Sequence, residues 1–138
     1  MVDITDEIIE KLKLSDFTIP PKDIRGIFST KKPVYPLIVV SEVLNTTKLQ
    51  LYGEEKFSKI GYKFEVYTRD ISHNGRLYTK DGASKIVLQD LDRALRTFFG
   101  MKRTTTSPAM LHGSDKSIYR RDVIYEGIIN NDTQIIYQ

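Results

Sequence analysis

Histidine occurs twice in the 138-residue sequence, at His73 and His112, and cysteine not at all. Thiolate nucleophiles, disulfides and Cys-based zinc sites are therefore outside what the chain can build, and one chain cannot supply a multi-histidine metal centre. A histidine with carboxylates can also hold a cation, but His73 and His112 each sit in a Gly- and Ser-containing turn, and neither stands at ligand spacing from an acid on a helix face. A magnesium-dependent nuclease of the restriction-enzyme type needs an acid on one strand and Glu-X-Lys on the next, so that two carboxylates hold the metal beside a lysine. Here Glu65 is followed two residues later by Tyr67, while Asp122 and Glu126 stand among Val123, Ile124, Tyr125 and Gly127, so the pattern fails. No Gly-X4-Gly-Lys-Ser/Thr loop, Gly-X-Gly-X-X-Gly turn or Gly-X-Ser-X-Gly elbow occurs. The chain reads as a non-enzyme, with no catalytic residues, no cofactor and no metal.

Charge adds little. Lys plus Arg is 21 against 18 for Asp plus Glu, a net +3, and the basic residues fall in short pairs: Lys31-Lys32, Lys102-Arg103 and Arg120-Arg121. A dedicated nucleic-acid binder concentrates its cations in a stripe, so cross-strand pairing with acidic neighbours is the plainer reading of these pairs. A length of 138 residues suits one domain, 1–138. Neither a transmembrane helix nor a signal peptide is expected, because no long apolar run occurs and the first residues are acidic.

The elements that must position these residues follow from periodicity. Ile60 to Asp70 alternates Tyr62, Phe64, Val66 and Thr68 with Lys63, Glu65, Tyr67 and Arg69, which predicts a half-buried central strand. Before it, Ile4, Ile8, Ile9 and Leu12 form one stripe of an N-terminal helix that Asp3 or Thr5 can cap. Phe17 to Pro36 is irregular and proline-rich, with Asp23 to Phe28 either a turn of helix or a short strand; Leu37 to Val43 is a strand covered on both faces. Leu44 to Lys59 is either a long functional loop or, from Lys48 to Tyr52, an extension of the hairpin.

Beyond the central strand, Ile71 to Lys80 is a turn-rich link about Asn74-Gly75. Asp81 then caps a helix to about Phe99, with Ala83, Ile86, Val87, Leu91, Ala94, Leu95 and Phe98 inward, Asp90 near the edge of the stripe as a flanking or solvent-reaching carboxylate, and Gly100 beyond the end. Met101 to Ser107 predicts a strand stopped by Pro108, Ile118 to Ile129 a long strand with Tyr119, Val123, Tyr125 and Ile129 in one register, and Thr133 to Tyr137 a closing strand after a turn at Asn130 to Asp132. The fold class is α+β: a mostly antiparallel mixed β-sheet with an N-terminal helix and one long central helix packed on one face.

Several segments together resemble a known pattern: Tyr-Pro-Leu-Ile-Val-Val (Tyr35 to Val40), Gly-Glu-Glu (Gly53 to Glu55), Ile-Gly-Tyr-Lys-Phe-Glu-Val-Tyr, the helix ending at Phe99-Gly100, Met-Lys-Arg-Thr-Thr-Thr-Ser-Pro (Met101 to Pro108), Ile-Tyr-Arg-Arg (Ile118 to Arg121) and Gly-Ile-Ile-Asn-Asn. From about Pro33 onward the chain resembles the small tail completion, or tail terminator, proteins from the head-to-tail joining region of long-tailed phages and prophages of Gram-positive bacteria. These motifs are structural rather than catalytic. The resemblance implies a virion protein at the head-proximal end of the tail, assembled in the host cytoplasm. Its subunits would form a ring homo-oligomer, a hexamer, that caps the tail tube protein and docks the head-closure or connector protein, and in contractile-tailed relatives meets the sheath protein. It also implies that genome DNA passes through the bore without specific binding, and that no membrane is involved.

On that resemblance the interface between subunits or with a partner is expected at Leu49, Leu51, Tyr52, Gly53, Glu54, Glu55, Lys56 and Phe57, and Lys102, Arg103, Arg120 and Arg121 become candidates to face the bore or the connector. The alternatives are a head-closure or other neck protein of the same particle, or a small nucleic-acid-binding module.

Overall fold

The computed structural model describes residues 3–27, 29, 31–51, 54–108, 110–112, 115–130 and 136–137. Its layering follows from the alternation in the central strand: Tyr62, Phe64, Val66 and Thr68 all point to one side and are fully buried there. In chain order the elements are α1 (Thr5–Lys13), β1 (Asp23–Gly26), β2 (Leu37–Leu51), β3 (Glu54–Thr68), β4 (Ile71–His73), β5 (Arg76–Tyr78), α2 (Lys80–Phe99), β6 (Lys102–Thr106), β7 (Met110–His112), β8 (Asp115–Asn130) and β9 (Ile136–Tyr137). Seven strands join in one sheet with the path β1-β2-β3-β8-β6, and β7 and β9 pair along β8 beside β6. Only the β1–β2 ladder is parallel. Both helices bury their apolar stripes against the same face, in one core that runs from Ile4 to Ile129. The architecture is the α+β class that the sequence predicts.

β3 lies at the centre, as expected, and extends further than its alternating core. The segment 44–59, open between loop and hairpin in the sequence, is hairpin: Leu44 pairs with Gly61, Thr46 with Lys59 and Leu51 with Glu54. A bulge between Glu42 and Leu44 leaves Val43 without a partner on β3, and the backbone there comes so close that a Cβ at Gly61 would stand 3.0 Å from that of Leu44. Residues 23–26 resolve as strand rather than helix. The turn-rich link is itself a small ribbon, β4 on β5, whose turn puts Asn74 at φ 50° and Gly75 at φ 76°, a pair of left-handed residues of the kind that tight hairpins require. The sequence does not announce β7. The turn expected at Asn131 and Asp132 lies outside the described residues.

Three details of the helices differ from expectation. The cap of α2 is Thr79, whose hydroxyl accepts the Gly82 N–H at 3.1 Å, while Asp81 sits in the first turn and pairs with Lys85. Phe98 shares the inward stripe yet is half exposed, with the Lys11 ammonium over its ring and Leu14, Ser15 and Asp16 lining a pocket beside it, and Leu88 is buried instead. Asp90 does not reach solvent. It is 6% exposed, accepts the Thr18 N–H at 2.8 Å and an Arg93 N–H at 2.9 Å, and so clips the segment after α1 onto α2. Gly100 closes the helix as expected, at φ 61° with its N–H on the Arg96 carbonyl.

The start of α1 rests on Asp3. Burial alone would raise its pKa, but hydrogen bonds from the Thr5 hydroxyl, the Thr5 N–H and the Tyr62 hydroxyl bring it below the ordinary value of 3.8. A folded-state pKa below the unfolded one contributes stability above pH 3.8 that is lost as pH falls through the folded value. Asp3→Asn is expected to cost about 1 kcal/mol in urea unfolding near neutrality. The gap should close once the pH falls well below 3.8, and a gap of constant size down to that acidity would remove the carboxylate charge as its cause.

Candidate functional site

The face of the sheet turned away from the helices carries the alternate residues of β3 and β8. Pairing puts Glu65 directly opposite Asp122 and Tyr67 opposite Arg120. Two carboxylates in that position repel each other unless a cation lies between them. Arg120 is that cation. Its guanidinium lies 2.9 and 3.1 Å from the Asp122 oxygens and 3.2 Å from Glu65, while the Lys63 ammonium stands 3.3 Å from Glu65 and 3.8 Å from Asp122. The Tyr67 hydroxyl donates to Glu65 at 2.7 Å. The hydrogen bonds to Asp122 raise the Arg120 pKa still further, and burial followed by the Glu65 hydrogen bond pushes the Tyr67 phenol above its usual range. Beneath this network Leu37, Tyr67 and Ile118 form a small apolar cluster flanked by Tyr35 and Val39.

Two carboxylates and a lysine thus do meet in space at Glu65, Asp122 and Lys63, although no linear Glu-X-Lys motif marks them. Their chemistry is not that of a metal site. Two cations balance two anions, and Arg120 occupies the oxygens that a divalent ion would need. The arrangement keeps the open face polar and electrically balanced. Its signal in sequence is the i, i+2 rhythm Lys63-Glu65-Tyr67 beside Arg120-Asp122, which becomes legible only once the register of the two strands is known.

The expected interface residues fall on the β2–β3 hairpin. Tyr52 and Gly53 lie outside the described residues, as do the side chains of Leu49, Leu51, Glu54, Glu55 and Lys56; Phe57 is half-buried. Among the described residues β3 is joined to β8 from Phe57 to Thr68, and the outer pairs Gln50–Glu55 and Leu51–Glu54 lie past the rung at Phe57–Asn130. Of the basic residues, Arg120 belongs to the network above. Arg121 points to the helix side, where it reaches Asp81 at 3.5 Å with its Nε buried. Lys102 and Arg103 are exposed on β6 and carry no ion pair among the described residues. The four cations therefore split into two used by the sheet and two presented outward.

The edges of the sheet differ. β1 covers residues 37–40 of β2, and beyond them β2 has no outer strand among the described residues. Where β1 stops, Gly26, Ile27, the start of α1 and residues 40–43 bound a notch of about 650 Å³. On the far side, the 16-residue β8 is covered in turn by β9, β6 and β7, all short. Among the described residues no three metal-ligand side chains cluster, and no helix is long and apolar enough to cross a membrane.

Arg120→Ala would leave Glu65 facing Asp122 with Lys63 alone between them, and is expected to cost roughly 1–3 kcal/mol in chemical denaturation. Adding Glu65→Gln to that variant should recover part of the loss, and a double-mutant cycle with less than about 0.3 kcal/mol of coupling would mean that the network contributes no cooperative stability.

Neither a protein-family model nor a curated protein matches the chain, so its function is argued from residues and geometry.

Proposed function

We propose that this chain is a structural subunit of a virus-like particle: a tail terminator that assembles into a ring, hexameric by the resemblance, caps the tail tube and presents a docking surface to the head connector. The observation that carries this reading is the β2–β3 hairpin, whose outer pairs extend past the last rung joining β3 to β8. Among the described residues neither a third strand nor a helix stands beside those pairs; a two-stranded ribbon of that kind is marginal in water, and a neighbouring subunit is a natural support for one. The sheet's open face, with its charges already matched, asks for no small-molecule ligand, and a ring needs an arm and edges rather than a pocket. Passage of DNA through such a bore is favoured by weak contact, because dense phosphate binding would slow transit. The tie-up of Arg120 and Arg121 inside the subunit accords with that.

Purified protein incubated with polymerising tail tube protein is expected to form rings and to halt tube growth at fixed ends in electron micrographs. Replacing residues 49–56 by a two-residue turn should leave the circular dichroism spectrum unchanged and abolish both effects. A chain that stays monomeric at high concentration and never associates with tube ends would overturn the proposal. Binding to the connector without capping tubes would reassign the chain to the head-closure proteins of the neck.

A further inference from the structure

An unpaired strand edge is a template for another chain, and sheets blunt such edges with short strands and charges. β8 is treated in that way by β9, β6 and β7. β2 is not, since β1 ends at Gly26 and residues 41–51 have no outer strand among those described. The start of this free edge has a distinct chemistry. Ile27 and the bulged Val43 are 57% and 48% exposed, and the notch around them is lined by the carboxylates of Asp3, Asp6, Glu42 and Glu65 together with the Lys63 ammonium, which Glu65 already pairs. The opposite edge has the matching character: Lys102 and Arg103 present cations without ion pairs among the described residues, and Met110 and Leu111 on β7 are 45% and 44% exposed.

We propose that the acidic notch and free β2 edge of one copy receive the β6–β7 edge of a second copy, so that the sheet continues from subunit to subunit. Strand addition of this kind draws its affinity from main-chain hydrogen bonds and its selectivity from the side chains beside them. β2 and β6 lie on opposite sides of β3 and β8 in the sheet, so one chain cannot join its own two edges. Each copy offers both halves, which makes the contact heterologous and able to close into a ring. The inference rests on the self-assembling reading above and names the seam it would use.

The test is a charge swap. One variant carries Asp6→Lys and Glu42→Lys; the other carries Lys102→Glu and Arg103→Glu. In the first, both edges are basic, and in the second both are acidic. Each alone is therefore expected to lose self-association by on the order of tenfold or more in sedimentation velocity, while an equimolar mixture recovers it by alternating the two. The exposed β6 substitutions leave the core untouched, so that variant alone keeps the test decisive should the other fold poorly, with circular dichroism reporting the fold of both.

Variants that assemble like the unmodified chain, or a mixture that stays dissociated, would overturn the seam. Rings that persist in either variant would do so while leaving the tail-terminator reading intact. An unmodified chain that is monomeric both in solution and on tube ends would end both.

Discussion

Tyr62 and Tyr125 are direct partners across the central β3–β8 ladder, both fully buried, and the rest of the molecule is arranged around what their hydroxyls require. A buried phenol needs a hydrogen-bond partner, and the sheet cannot supply one because its own backbone groups are already paired. Tyr62 accepts the Ile4 N–H at 2.9 Å and donates to Asp3 at 3.0 Å; Tyr125 donates to Asp92 at 2.7 Å, which Arg96 holds from the next turn. One rung of the sheet thereby places the start of α1 and the middle of α2. Burial raises both phenols above their ordinary range, the direction that keeps each a proton donor well into alkaline solution. Phe64 fills the space beside them edge-on to Tyr125, with ring centres 5.7 Å apart.

That requirement leaves the two faces of the sheet with different work. On the helix side Thr68 donates to the Lys80 carbonyl, Ser84 to the Asp81 carbonyl, and Asp90 is met by Thr18 and Arg93, while the buried Arg121 Nε is left without a hydrogen-bond partner. On the other side the alternating residues of the same strands are charged, and Arg120 and Lys63 neutralise Glu65 and Asp122 without help from a helix. A face that balances its own charge offers little purchase to a ligand. Among the described residues, the long strand edge without a neighbouring strand is that of β2 beyond Val40.

Features governed by a local period were legible in the sequence: the stripe of α1, the core of α2 with Gly100 beyond it, and the alternation at the centre of β3. Features set by a partner far along the chain were not. Asp90 occupies the edge of a helical stripe, and nothing near it indicates that Thr18, 72 residues away, will bury it with a hydrogen bond. Phe98 fits the stripe by angle and is nonetheless half exposed, beside the segment that follows α1. β1 is four residues long, below the length at which alternation can be told from a turn of helix, and β7 is shorter still. The candidate site divides along the same line. The segment from Leu44 to Lys59 stands out locally as longer than a tight hairpin needs, whereas the meeting of Glu65 with Asp122 and the lack of an outer strand on β2 beyond Val40 among the described residues depend on register and strand order.

Edges labelled with charge also bear on which assembly forms. Were two β2 edges to pair with each other, Asp3, Asp6 and Glu42 of one copy would approach the same carboxylates of the next, and two β6 edges would bring Lys102 and Arg103 together. Like charges brought together cost free energy in both arrangements, so the two symmetric dimers are disfavoured and the head-to-tail contact is left. At the proposed seam, direction would then follow from composition: one acidic and one basic edge on opposite sides of a single sheet would favour the head-to-tail contact over pairs, and the rotation between copies would decide closure.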